Sequence, residues 1–152
     1  MYVANNPEVA AIAQDAGVAR IVVDMEYIGI NKRQRGMNTS RNYHTIEDVK
    51  KLRPIIDKSE LMVRVNPIHE RTDKVISSEE EIEAVIEYGA DMIMLPYLKT
   101  VQEVRTFIEL VDHRAKVYPL IETPEAVDCM DEILKLDGID ELPHSCRDGF
   151  QL

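Results

Sequence analysis

Short apolar runs alternate with amphipathic segments along this chain, and most of the amphipathic segments open on a capping residue. The runs RIVVDME, ELMVRVN, DMIMLP and KVYPLI read as strands, and MYVA as the remnant of a first one. Between them lie segments with helical periodicity. Asn6-Pro7 opens PEVAAIAQDA, which Gly17 ends, and Thr45 caps IEDVKKLRPII with Asp48 at its third position. Ser78 and Glu81 predict a capping box for EEEIEAVIEY, closed by Gly89, and Thr100 and Glu103 a second box for VQEVRTFIELV. Thr123 and Pro124 read as the cap and first residue of PEAVDCMDEILKL, after which Gly138-Ile139-Asp140 would lead into a sixth strand. Tyr27–His44 reads as a long polar loop.

This rhythm predicts an α/β fold with a parallel sheet and right-handed crossovers. Two architectures fit, an open doubly wound sheet or a (β/α)8 barrel. Neither GxGxxG nor GxxxxGK[ST] occurs, so the nucleotide-binding forms of the open sheet lose their sequence support. In either architecture ligands gather where strands end. The strand ends here carry Asp24 and Glu26, Arg64 and Asn66, Pro96, and Glu122. The most informative stretch is VYPLIETPEAV, a strand that delivers the carboxylate of Glu122 to the start of a helix. An acid there also favours the helix dipole, so position alone leaves a capping role open. Arg64, within the apolar MVRVN, is a cation that needs a partner if buried. Acids, a guanidinium and an amide at one rim suit a small anion, bound directly or through a metal.

Composition narrows the choice of partner. An apolar content of 45% supports a real core, and a net charge of −10 argues against nucleic acid or anionic membrane as a partner. No apolar run approaches the roughly 20 residues of a membrane span. The N-terminus, MYVANNPEVA, lacks the regions of a signal peptide, so a cytoplasmic location is expected. Cys129 and Cys146 follow no pattern and read as reduced thiols, Cys129 as a buried one. The loop KRQRGMNTSRNYHT clusters Lys32, Arg33, Arg35, Arg41 and His44 without an acid, either a solvated loop or a funnel for an anionic substrate. His69 lies close to Arg64 in sequence, but a lone loop histidine more often faces solvent. Met92 and Met94 alternate along a strand and read as core.

The motifs DMEY, LMVRVNP, GADMIMLP, LIETPEAV and GIDEL, in this order and spacing, resemble the HpcH/HpaI aldolase and citrate lyase beta family. The likeness runs from about Met1 to Leu142. It implies a (β/α)8 barrel and a metal-dependent lyase that makes or breaks a carbon–carbon bond through a pyruvate-type enolate. By the same resemblance Arg64 binds substrate oxygens and stabilises the enolate, and Glu122 is the first carboxylate on a divalent metal, magnesium or manganese. Glu26, the acid of DMEY, lies beside the metal's water shell, and Asp148 stands at the distance of the second metal aspartate. The partner is then a small 2-oxo acid, and intact relatives are homo-oligomeric.

Three departures from the family pattern stand in the chain. Tyr27 follows the DMEY acid where hydroxy-dioate aldolases have histidine, and Leu120 stands where they have glutamine. After GIDEL the chain reads PHSCRDGFQL, without the glycine and apolar strand that should surround Asp148. The expected organisation is therefore a partial (β/α)8 barrel of about five to six strand–helix units over 1–142, followed by an atypical tail over 143–152, with disorder one reading of that tail. A complete barrel takes about 250 residues. The alternative to a lyase is a truncated barrel that does not catalyse in isolation.

Overall fold

A computed structural model describes residues 1–28 and 44–143. The strands are β1 (Tyr2–Val3), β2 (Arg20–Asp24), β3 (Glu60–Arg64), β4 (Met92–Leu95) and β5 (Lys116–Pro119), all parallel and in the order β1-β2-β3-β4-β5. The helices are α1 (Pro7–Asp15), α2 (Ile46–Leu52), α3 (Ser78–Glu87), α4 (Val101–Val111), α5 (Pro124–Asp128) and α6 (Met130–Ile133). A doubly wound sheet reverses its strand order at a switch point. This order never reverses, which leaves the barrel architecture.

The packing gives the same answer. Ile21, Val23, Leu61, Val63, Ile93, Leu95 and Val117 point to one face and pack with Ala10, Val49, Val85 and Phe107 of the helices. Val22, Met62, Met92, Met94 and Tyr118 point to the other face and form a second buried cluster, with Leu120 packed against it. A flat sheet with helices on one side would leave that second face wet. Its burial is consistent with strands that curl around it, as in a barrel whose interior is packed with side chains. Met92 and Met94 are indeed core. No helix among the described residues is long and apolar enough to cross a membrane.

Local chemistry explains the helix starts. Asn6 accepts from the amides of Glu8 and Val9, Thr100 with Glu103 forms the capping box expected, and the expected cap Thr45 forms a box with Asp48 as well. One box is displaced: Ser77, not Ser78, is the cap of α3, and Glu80 rather than Glu81 reaches back to it. Adjacent serines and three consecutive glutamates make the two registers indistinguishable from pattern alone. The predicted last helix is broken in two at Cys129, whose backbone sits at φ −105 and ψ 14. Cys129 is half-buried rather than fully buried, with a free thiol. No sixth strand is formed among the described residues. Instead the Asp140 amide donates to the Val117 carbonyl at 3.1 Å, and the Val117 amide donates back to Asp140 Oδ2 at 2.8 Å.

The amino-terminal ends of the strands are tied by charge. Arg20 bridges Glu60 at 2.7 Å and Glu141 at 2.5 Å, and Lys116 also bonds Glu60. Hydrogen bonds from Lys116 and then Arg20 hold the Glu60 carboxyl below its usual range. A depressed carboxylate contributes stability above its unfolded pKa, and that contribution is lost as pH falls through the folded value. Glu60→Gln is therefore expected to melt below the parent at neutral pH, with the gap closing below about pH 4.3. Thermal melts across acid pH check this, and a gap independent of pH would assign the effect to packing.

Candidate active site

β2 and β3 run in a register that pairs Asp24 with Arg64, and both side chains stand on the inner face above Val22 and Met62. Arg64 Nε donates to Asp24 Oδ1 at 2.8 Å and Nη2 donates to Oδ2 at 2.6 Å, a two-point fork. Glu26 Oε2 lies 3.5 Å from the same Nε. Asp24 is 8% exposed and Glu26 4%, so two buried carboxylates share one guanidinium whose own side chain is 28% exposed. The Asp24 hydrogen bonds raise the Arg64 pKa most, burial opposes them, and the charges of Asp24, Glu26 and Glu122 add to the rise. Arg64 thus remains a cation, and its Nη1 makes no hydrogen bond among the described residues.

Glu122 reaches the same rim from the far side, beyond β5. Its Oε1 accepts the amide hydrogen of Tyr97 at 2.9 Å, and Tyr97 holds a left-handed backbone, φ 50. Behind it Thr123 caps α5 through the Ala126 amide and donates its hydroxyl to the Leu98 carbonyl at 2.6 Å. The carboxylate is therefore fixed at its root and exposed at its tip. Thr123 makes the capping bond, as expected, and Glu122 stands one residue before it.

Some expectations change. Asp24, one of the strand-end acids, is the main partner of Arg64. His69 does not face solvent freely: Nδ1 lies 2.7 Å from the Pro67 carbonyl and Nε2 lies 2.7 Å from the Ile76 carbonyl. His44 accepts the Asp24 amide hydrogen on Nδ1 at 3.0 Å, which places it at the rim rather than only in a basic loop. Sequence distance hid that contact, since the intervening loop separates the two. Asp148, with Lys32, Arg33, Arg35 and Arg41, lies outside the described residues. So do His144 and Cys146. Among the described residues no three His, Cys, Asp or Glu side chains cluster as a metal site.

A comparison with curated proteins finds no match. Solved structures share the fold. The HpcH/HpaI aldolase from Desulfitobacterium hafniense DCB-2 superposes with a TM-score of 0.65 at 17% identity, over 93% of this chain and 58% of that one. An HpcH/HpaI aldolase/citrate lyase family protein from Burkholderia cenocepacia J2315 gives 0.70 at 16%, over 93% of this chain and 62% of that one. Macrophomate synthase gives 0.61 at 16%, over 92% and 52%. The chain thus spans less than two thirds of the length of these neighbours. The HpcH/HpaI aldolase/citrate lyase model matches residues 1–148, and the chain belongs to that family.

Proposed function

We propose that this chain carries the rim of a divalent-metal-dependent carbon–carbon lyase, of aldolase type, acting on a pyruvate-type 2-oxo acid through an enolate. The observation that carries it is the Arg64 cation held by Asp24 and Glu26 on one side of the rim, facing the anchored Glu122 on the other. Forming an enolate needs fixed positive charge where negative charge develops. Arg64 supplies it. Asp24 fixes the plane of the guanidinium, and Nη1 is directed to a substrate carboxylate or enolate oxygen. Glu26 keeps a second negative charge against Nε, so the guanidinium cannot swing to follow the substrate.

The donors at the rim fit a hard ion. Glu122 offers oxygen, its Oε1 is oriented by the Tyr97 amide, and Oε2 makes no hydrogen bond among the described residues. Magnesium and manganese take one or two carboxylates and keep several waters, so an open site suits them better than a closed cage. Glu122 and, from the tail, Asp148 would hold the ion, with Glu26 reaching its water shell. When bound, such an ion acts as a Lewis acid on the 2-oxo and carboxylate oxygens. The substrate is a small molecule, and the same reading gives a cytoplasmic enzyme without membrane or nucleic-acid partner, in a family of homo-oligomers.

The test is exchange of pyruvate methyl protons in deuterated water, followed by proton NMR with magnesium or manganese present. Exchange is expected, and both a chelator and Arg64→Ala should remove it. Absence of exchange with every divalent ion tried would overturn this function.

A further inference from the structure

Glu81 is an acid that the catalytic reading does not use, and it is 4% exposed. Its neighbour Glu80 serves the helix cap, which leaves Glu81 to point inward. There Oε1 accepts from Asn66 Nδ2 at 2.8 Å and Oε2 accepts from the Asn66 amide at 3.1 Å. Both Glu81 oxygens thus accept from the one residue, Asn66. They also set the orientation of the Asn66 side chain, because only the nitrogen end can face Glu81. The oxygen end then faces the segment after β2. Asn66 Oδ1 accepts the amide hydrogens of Tyr27 and Ile28, each at 2.9 Å. Asn66 itself is 1% exposed.

Burial pushes the Glu81 carboxyl up, and the Asn66 bonds and the His69 charge pull it back. His69 is held beside this link: Nδ1 lies near the Pro67 carbonyl and the Ser78 hydroxyl, Nε2 near the Ile76 carbonyl, and its amide donates to Ser78 Oγ in the first turn of α3. The carboxylate also acts on the rim directly: the Tyr27 hydroxyl is raised, by burial first and by the Glu81 charge second.

We infer that Glu81 is a positioning residue of the rim: through Asn66 it pins the Tyr27–Ile28 backbone and so fixes Glu26 against Arg64. The device joins α3, the end of β3 and the end of β2 by four hydrogen bonds. Its effect is local. Arg64 and Asp24 sit on strands whose ladder bonds do not pass through Glu81. Losing Glu81 therefore loosens the Tyr27–Ile28 backbone that follows Glu26, while the Met25 amide stays on the Arg64 carbonyl and the Arg64 fork stays in place. The catalytic half of this inference rests on the function proposed above, whereas the structural half does not.

The experiment is native-state amide hydrogen exchange on Glu81→Gln, Asn66→Ala and the double variant, read at Tyr27 and Ile28 with Val63 and Ile93 as core references. In Glu81→Gln the glutamine nitrogen must face one Asn66 donor, so exchange at Tyr27 and Ile28 is expected to rise tenfold or more with the references unchanged. The double variant should open no further than Asn66→Ala alone, because both act through one link. Where the parent turns over a 2-oxo acid, Glu81→Gln should lower kcat with KM nearly unchanged, since Arg64 keeps its place. Unchanged exchange at Tyr27 and Ile28, or effects that add in the double variant, would overturn the inference. If Glu81→Gln does not fold, Glu81→Asp serves. It keeps the charge but falls short in reach, and it must show the same selective opening. A parent without turnover would count against the proposed function only, because exchange still decides the pinning.

Discussion

Arg64→Ala is expected to lower turnover about a hundredfold or more, the usual cost of removing a donor aimed at developing negative charge. Arg64→Lys should recover little of it. The fork makes two bonds to Asp24 at 2.8 and 2.6 Å from adjacent nitrogens, and a lysine ammonium cannot hold both oxygens and still present a donor to substrate. Steady-state kinetics of the two variants decides. Near-parental turnover in Arg64→Lys would show that only a point charge is needed. The same change bears on stability. Arg64 neutralises two carboxylates, Asp24 and Glu26, that are buried beside it. Removing the shared cation leaves both without compensation, a loss on the order of 3 kcal/mol. Chemical denaturation measures it. If Arg64→Ala is as stable as the parent, the pair is better solvated than its burial indicates.

Manganese binding is expected to depend on the charge of Glu122. Calorimetric titration of Glu122→Gln should show affinity at least tenfold weaker than the parent. The glutamine oxygen still accepts the Tyr97 amide hydrogen, so the local structure stays and only the charge is lost. Pyruvate should tighten binding in the parent, since a hard ion that keeps its waters gains most from a chelating substrate. Asp148→Ala separates two cases. Weaker binding makes Asp148 the second carboxylate, and unchanged tight binding assigns that place to another acid. Binding unaffected by Glu122→Gln would remove the metal site proposed at this rim.

The chain's own pattern determined the five strands, their parallel direction and most helix starts. These are local or near-local properties. Alternation between strand and helix period, and cap residues such as Asn6, Thr45, Thr100 and Thr123, act within a few residues of where they stand. The same pattern brought Arg64, Glu26 and Glu122 to strand ends, because a parallel sheet puts every such end on one rim. It left barrel and open sheet unresolved, and the residue motifs tipped the balance only by resemblance.

Tertiary structure decided what depends on pairing across the sheet. The register of β2 against β3 made Asp24 the partner of Arg64, a choice no single strand contains. The curl of the sheet buried the inner row of Met62, Met92, Met94 and Tyr118, which settled the architecture. Between Ser77 and Ser78, and between Glu80 and Glu81, the pattern is degenerate. The tie was broken by a buried amide forty residues from the backbone it holds, counted roughly along the chain from Asn66 to Tyr27. The Asn66 amide and side-chain nitrogen both donate to Glu81, and the cap fell to Ser77 and Glu80. Long-range hydrogen-bond demand of this kind has no local signature, and it assigned the roles of Glu81, His44 and Asp24.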